Sequence, residues 1–561
     1  MSEFEPNLKE AAELAEVNKM PLGKRLSYYT KRSGPGWLQA AITLGGGSLA
    51  SALFLGVILQ YELMWLQPLA MVLGVIMLCA IAYVTLSSQR RPFEAVKQFV
   101  SPVLGWAWLI GAMLANMVWC LPQFALGTGA VQQNLIPSLE KSTSAPWLIG
   151  IVLLLLSAIV VRAYDSNSKG IKRFELILKG MVGIVVISFF LVVAKLTASG
   201  LLDWGAILKG FLPSLSSLYS PTPIIADAIA ATGENAATWT DLIARDQRNI
   251  VIAAFGTAVG INMTFLLPYS MLRKGWTKEH RPLAVVDLGI GLFIPFLIAT
   301  SCIVIAAASQ FHGKTDDILN LDGSVIAGKE SGFNTTAEKF VRVRFAGDLG
   351  TKATPEKLGE LRDSLPLADR KVVAMLVSRK DGDLAKSLSA LAGEGVGRIV
   401  FGVGVLGMAL STIIILMLIN GFCLCEALGR PGDKKLHFVG SLIPGFIGIC
   451  FPLIWSGDSR AALAVPTSVI CGSLLPIAYF TFLLLMNSRR LLGDAMLTGG
   501  KRIIANVLML TATSVATFGS VWALKDQEFG GIPFGRVGIG LLILLFLIGL
   551  FGFLSKNKKS S

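Results

Sequence analysis

Two short stretches carry the residues that could do chemistry. Gly45-Gly46-Gly47-Ser48 and Gly256-Thr257-Ala258-Val259-Gly260-Ile261-Asn262-Met263-Thr264 each stand in the middle of a long apolar run, the second with Pro268 a turn later. Consecutive glycines are poor helix material, each costing about 1 kcal/mol relative to alanine. In a hydrocarbon medium, backbone freed from a helix is tolerated only where it is buried in protein or lines a cavity. Such breaks offer carbonyl oxygens, to which Ser48, Asn262 and Thr264 add hydroxyl and amide groups. They also expose N–H groups at the starts of half-helices, which suit a carboxylate. The candidate substrate site is therefore Gly45, Gly46, Gly47, Ser48, Gly260, Asn262 and Thr264, with Ser48 and Asn262 as candidate oxygen ligands for a metal ion. Glycines that only let helices pack closely would leave a related pattern. Two breaks at corresponding places in two halves of a chain favour a transport site.

The elements that hold these stretches are membrane helices. Of the 561 residues, 53% are hydrophobic and 15% charged, against about 25% charged in a typical soluble protein. The mean hydropathy is +0.65. Apolar runs of about 18–28 residues, each long enough for a hydrocarbon core roughly 30 Å thick, predict about twelve spans: 35–59, 63–86, 103–127, 146–163, 176–198, 249–272, 284–309, 397–424, 438–456, 461–486, 503–524 and 534–554. The net charge of +14 sits in short clusters at span ends rather than on one solvated face, which excludes a nucleic-acid partner.

Those clusters set the orientation. Lys24, Arg25, Lys31 and Arg32 precede span one. Arg90, Arg91 and Lys97, then Lys169, Lys172 and Arg173, then Arg273, Lys274, Lys278 and Arg281 follow even-numbered spans, as do three later groups. Lysine and arginine collect on the cytoplasmic side, so both termini are expected there. The organisation expected is a cytoplasmic segment 1–33, spans one to seven within 34–310, an extracytoplasmic, partly helical insert 311–396, and spans eight to twelve with a short tail in 397–561. From Thr354 to Leu391 the insert interleaves charges with leucines at helical spacing, which fits either a small helical cap or a solvated loop with transient helices. Asn334-Thr335-Thr336 matches a glycosylation triplet, a pattern common by chance.

The seven cysteines all fall inside apolar runs and read as small core residues. His280, His312 and His437 lie in or beside loops and read as solvated. Asp287, near one end of span seven, is explained equally by pairing with Arg281 or by a helix N-terminus. Lys179 and Lys195, near opposite ends of span five, can snorkel. The loops contain no nucleophile–base pair, metal-ligand spacing or phosphate-binding loop, so neither an enzyme nor a cofactor is expected. The absence of disulfide spacing and of a targeting peptide points to a bacterial plasma membrane.

Across spans one to eleven the chain resembles the natural-resistance-associated macrophage protein (Nramp) family of divalent-metal transporters. The likeness is carried by Gly34-Pro35-Gly36, by Asp287 through Ala308, by Ala409-Leu410-Ser411-Thr412, and by Asn487-Ser488-Arg489-Arg490-Leu491-Leu492-Gly493-Asp494. The resemblance implies an all-α polytopic membrane protein with a LeuT-like 5+5 inverted repeat and broken helices one and six, transporting by alternating access. The site motifs depart from the family's. Its first helix breaks at Asp-Pro-Gly-Asn, where this chain has Gly45, Gly46, Gly47 and Ser48; its sixth breaks at Met-Pro-His, where this chain has Gly260, Ile261 and Asn262. The motif's later histidine falls on Leu267. The breaks thus read as lacking the carboxylate, sulfur and imidazole that softer metals prefer. A wide, neutral, oxygen-lined site suits hydrated magnesium, which sheds water reluctantly. The first expectation is a divalent-cation carrier embedded in the lipid bilayer, with magnesium favoured over manganese or iron. The second is an organic-solute, amino-acid-like carrier of the same fold. The third is a transport-inactive receptor with 311–396 as its sensing part.

Overall fold

The computed structural model describes residues 6–140, 142–166, 168–346, 354–377, 379, 394–455, 463–525, 527 and 533–558. Part of the insert pattern, 380–391, lies outside them. Among the described residues ten helices are long and apolar enough to cross a membrane, and the pair Pro35–Thr43 and Gly46–Leu59, bent by 54°, makes an eleventh crossing if taken as one span. Span six is Ala236–Ala258 followed by Ile261–Arg273. Its first turns carry Asp241, Arg245, Asp246 and Arg248, so the apolar signal is confined to its second part. Spans one to five and six to ten are the two halves of an inverted repeat, each opening with a broken helix.

Burial separates a core bundle from a rim. In the apolar windows of spans seven and eight 67% of residues are buried within the protein, against 28% for span eleven and 11% for span twelve. The last two spans therefore present their leucines and isoleucines to lipid, where an exposed apolar face is the stable arrangement. Span one packs along span seven and span eight, and span six packs against spans two, three and ten.

The start of span one is held by Asp287 of span seven, the helix-terminus alternative rather than Arg281. Its carboxylate accepts from the backbone N–H groups of Gly34 (2.8 Å) and Gly36 (2.6 Å) and from the Ser33 hydroxyl. A carboxylate against the positive end of a helix is favourable, and here it satisfies donors that a helix leaves unpaired. A Cβ at Gly36 would collide with the Asp287 carbonyl, so glycine is what allows the approach. Lys179 does not simply snorkel: its ammonium donates to the Ser33 carbonyl at 2.8 Å.

The histidines are not solvated. His280, His312 and His437 are all buried. His312 lies within 2.9 Å of the Val57 carbonyl and 3.1 Å of the Thr222 hydroxyl, so its ring ties the far end of span one to the loop before span six. Burial holds its pKa below the ordinary value. His437 packs its ring on Phe422, with centroids 4.7 Å apart.

On the side opposite the N-terminus a second hydrophobic cluster stands apart from the bundle. It joins Ile225 and Ile229 to Phe333, Phe340, Leu358 and Val373, from helices Glu330–Arg344, Pro355–Asp363 and Leu367–Leu376. Span six begins inside this cluster. Trp239 stacks on Phe340 at 4.1 Å, and its indole N–H donates to buried Asp369 at 2.7 Å. The helix that ends at the span-six break is thus anchored at its other end in the insert.

Replacing Asp287 by Ala leaves two buried N–H groups without an acceptor, at about 1–3 kcal/mol each. We expect a markedly lower melting temperature in detergent for Asp287→Ala and a smaller loss for Asp287→Asn. Wild-type melting of Asp287→Ala would show that the cap carries no stability.

Candidate functional site

The break in span one is narrower than its glycines suggest. Thr43 ends the first half-helix, Leu44 (φ −78°, ψ 60°) and Gly45 (φ −119°, ψ −167°) form the turn, and Gly46 and Gly47 already begin the second half-helix. None of these angles requires glycine. At position 45 the requirement is space: a Cβ there would fall on the Thr412 hydroxyl of span eight and press on the Gln123 amide of span three. In span six the turn is Val259 (φ −141°, ψ 113°) and Gly260 (φ −85°, ψ 160°), with Ile261 opening the next half-helix.

The two turns meet around one cavity of about 30 Å³, lined by Ile42, Thr43, Gly47, Ser48, Trp119, Gln123, Gly260, Asn262, Met263, Thr412 and Leu416. Of the residues expected from sequence, Gly47, Ser48, Gly260 and Asn262 are brought together here. Gly45 and Gly46 lie behind the wall. Thr264 points away: its hydroxyl bonds the Ile261 carbonyl and receives the indole N–H of Trp108 at 2.8 Å, which fixes the half-helix to span three. Ser48, Asn262, Thr43, Gln123 and Thr412 are all buried.

The breaks' freed backbone groups find partners within the protein. Gln123 Oε1 accepts from the Gly46 N–H at 2.9 Å. Ser411 and Thr412 bring hydroxyls to the Ala41 carbonyl at 3.0 and 3.2 Å, and Ser48 donates to the Thr43 carbonyl. The Thr43 hydroxyl lies 3.4 Å from the Ala258 carbonyl and 3.3 Å from the sulfur of Met263, joining the two breaks. That sulfur also receives the Gly260 N–H at 3.3 Å, and Asn262 Oδ1 receives the N–H of Met263 at 3.0 Å.

Two expectations change. A thioether is present after all. Met263 stands in the first turn of its half-helix, and helical side chains lean toward the N-terminus, so its sulfur reaches back over Gly260. The site is also not wide. A cavity of about 30 Å³, set against the roughly 10–15 Å³ that one water needs, has room for about two waters in this closed form. The space opened by the missing Cβ atoms is occupied by Trp119 and Gln123 from span three and Thr412 and Leu416 from span eight. Sequence reasoning missed Trp119 and Gln123 because each is a single aromatic or polar residue in an apolar helix, and Leu416 because it is one apolar residue among many. Thr412 alone had a signal, as part of Ala409-Leu410-Ser411-Thr412. The cavity lining contains no ionisable side chain, and no group of three or more His, Cys, Asp or Glu suited to a metal occurs among the described residues.

A family model described as natural resistance-associated macrophage protein-like (Nramp) matches residues 36–326 and 376–522. Among solved structures the chain is similar to a histidine-to-alanine mutant of the Eremococcus coleocola manganese transporter, with 15% identity and a TM-score of 0.63, covering 96% of this chain and 97% of that one. It is also similar to the same transporter in complex with an aromatic bis-isothiourea substituted compound, with 14% identity and a TM-score of 0.61, over 95% and 96% of the two chains. At these identities the likeness is one of fold. No curated protein matches the sequence.

The contact between Gly45 and Thr412 gives a clean steric test, because the backbone angles at Gly45 suit any residue. Gly45→Ala overpacks the junction, which costs about 1–3 kcal/mol, and should lower the melting temperature by several degrees. Thr412→Ala added to it should recover part of that loss. A double variant no more stable than Gly45→Ala would place the clash elsewhere.

Proposed function

The chain belongs to the Nramp family, and from that premise we propose that it carries a divalent cation by alternating access, with magnesium preferred over manganese or iron, through the junction of the two helix breaks. The observation that carries this reading is an asymmetry in the junction's leftover hydrogen-bonding capacity. An N–H has one proton to give, and those of Gly46, Gly260 and Met263 are already given to Gln123, Met263 sulfur and Asn262. A carbonyl has two lone pairs. Those of Thr43 and Ala258 each receive one hydroxyl and keep capacity to accept, while that of Ala41 receives two. These backbone carbonyls offer a substrate acceptor oxygen, the chemistry of a hard cation, beside the side-chain amides of Gln123 and Asn262 that also line the cavity.

The pairing of the Gly46, Gly260 and Met263 N–H groups reduces the donor capacity that a carboxylate-bearing solute needs at the half-helix N-termini. Two half-helices, Pro35–Thr43 and Ala236–Ala258, end at the junction, and C-terminal ends carry partial negative charge. Neutral oxygens with one thioether favour magnesium over softer ions, which draw their affinity from sulfur and nitrogen. With all lining side chains neutral, a bare ion would be poorly compensated in this medium. The ion therefore keeps some of its water, and the junction must widen from its closed form to admit it. Opening toward one face and then the other is the alternating-access step. The lysine and arginine asymmetry supports both termini on the cytoplasmic side, with 311–396 outside.

Uptake into proteoliposomes tests this directly, with magnesium, manganese and a panel of amino acids supplied separately. Magnesium should accumulate faster than manganese, and no amino acid should accumulate. Asn262→Ala should cut magnesium uptake at least tenfold, because loss of the Met263 cap reshapes the junction. Amino-acid uptake without any divalent-ion flux would overturn the cation reading; an unchanged Asn262→Ala would move the site away from the breaks.

A further inference from the structure

A second cavity, larger than the transport junction, lies between spans two, six, ten and eleven. It measures about 160 Å³ and is walled mainly by carbon: Ala70 and Leu73 of span two, Val251 and Val259 of span six, Leu475 of span ten, Val515 and Ala516 of span eleven. The polar groups gather at one end. Arg248 and Tyr219 line the cavity near the rim, on the side opposite the N-terminus.

Two helices independently give its depth. Along span eleven the lining runs from Ala512 to Trp522, ten residues or about 15 Å at the helical rise. Along span six it runs from Val259, at the mid-membrane break, to Arg248, again about 15 Å. Half of a hydrocarbon core is also about 15 Å. The cavity thus spans one leaflet, from midplane to headgroup level. Trp522 at its upper end, with the Lys525 ammonium 3.8 Å from the ring centroid, has the aromatic-and-basic character of a membrane interface. Phe518, on the same stretch of span eleven, is 66% exposed and faces lipid.

Arg248 supplies the charge argument. Among the described residues it makes no ion pair, hydrogen bond or ring contact. An unpaired guanidinium above an apolar slot is complementary to an anionic headgroup carrying a hydrocarbon tail, and guanidinium binds phosphate through paired donors. We propose that this slot binds one acyl chain of an anionic phospholipid, with its phosphate held by Arg248. The volume is close to the 150 Å³ of an apolar cavity that takes benzene. The slot therefore holds a segment of the chain, and the remainder lies over Phe518. The seated chain packs on Val259, the residue that joins the two halves of span six and fills the space beside Gly74 of span two.

The test uses purified full-length protein, delipidated and then supplied with phosphatidylglycerol or phosphatidylcholine of identical chains, with bound lipid counted by native mass spectrometry. Wild type should retain one lipid and prefer phosphatidylglycerol by about fivefold, the factor expected of one basic residue at an anionic surface. Arg248→Gln should still take lipid but lose the preference. Ala516→Trp at mid-depth and the milder Ala512→Leu at the deep end should each reduce retention of both lipids. Melting curves identify any variant that has unfolded, and the other filling variant then decides. Full retention in a folded filling variant, an unchanged preference in Arg248→Gln, or no lipid retained by wild type would overturn the proposal.

Discussion

A polypeptide that unwinds in the middle of a membrane must have its backbone satisfied by its own side chains, and the rest of this structure is arranged around that requirement. Span one unwinds at Leu44-Gly45 and span six at Val259-Gly260. The residues around both breaks are buried. Thr412 and Ser411 therefore come from span eight and Gln123 from span three, Ser48 reaches across the break to the end of the first half-helix, and Asn262 and Met263 fold back on their own half-helix. Spans three and eight are thereby fixed against the breaks. The Asp287 cap does the same for the near end of span one, and Trp239 and Asp369 anchor the far end of span six.

The chemistry of the junction follows from how these partners are distributed. Side-chain acceptors take the N–H groups of Gly46, Gly260 and Met263, while single hydroxyls leave part of the capacity of the Thr43 and Ala258 carbonyls. A junction with no ionisable side chain in its lining results. A carboxylate at position 45 would need room now taken by Thr412 and Gln123. Size follows from the same packing. The large side chains that enclose the break leave about 30 Å³.

Much of the fold was legible in the sequence because lipid imposes a simple rule. Apolar runs of sufficient length, separated by basic clusters, mark the spans whatever the packing inside. The breaks were legible because glycine clusters are rare in that setting, although the triplet at 45–47 overstates the unwound stretch: Gly46 and Gly47 are helical. What could not be read was which helix supplies each partner. Gln123 and Thr412 lie far from the breaks in sequence, and only tertiary packing brings them there. Met263 stood in the motif itself, but its role depends on a side chain leaning backward over Gly260. The histidines misled for a related reason. Their positions beside loops suggested solvent, whereas the loops fold over the bundle and bury them. Asp287 allowed two partners in sequence, and only the approach of span one at Gly36 selects between them.

The central claim is that the junction of the breaks binds a divalent ion through neutral acceptor oxygens. Calorimetric titration of magnesium into the purified protein, compared with Thr412→Val, which keeps the volume and removes the hydroxyl, tests it without relying on transport. The account predicts one saturable site in the wild-type protein and at least several-fold weaker binding in the variant. Equal binding in both proteins, or heat released only on adding an amino acid, would contradict it.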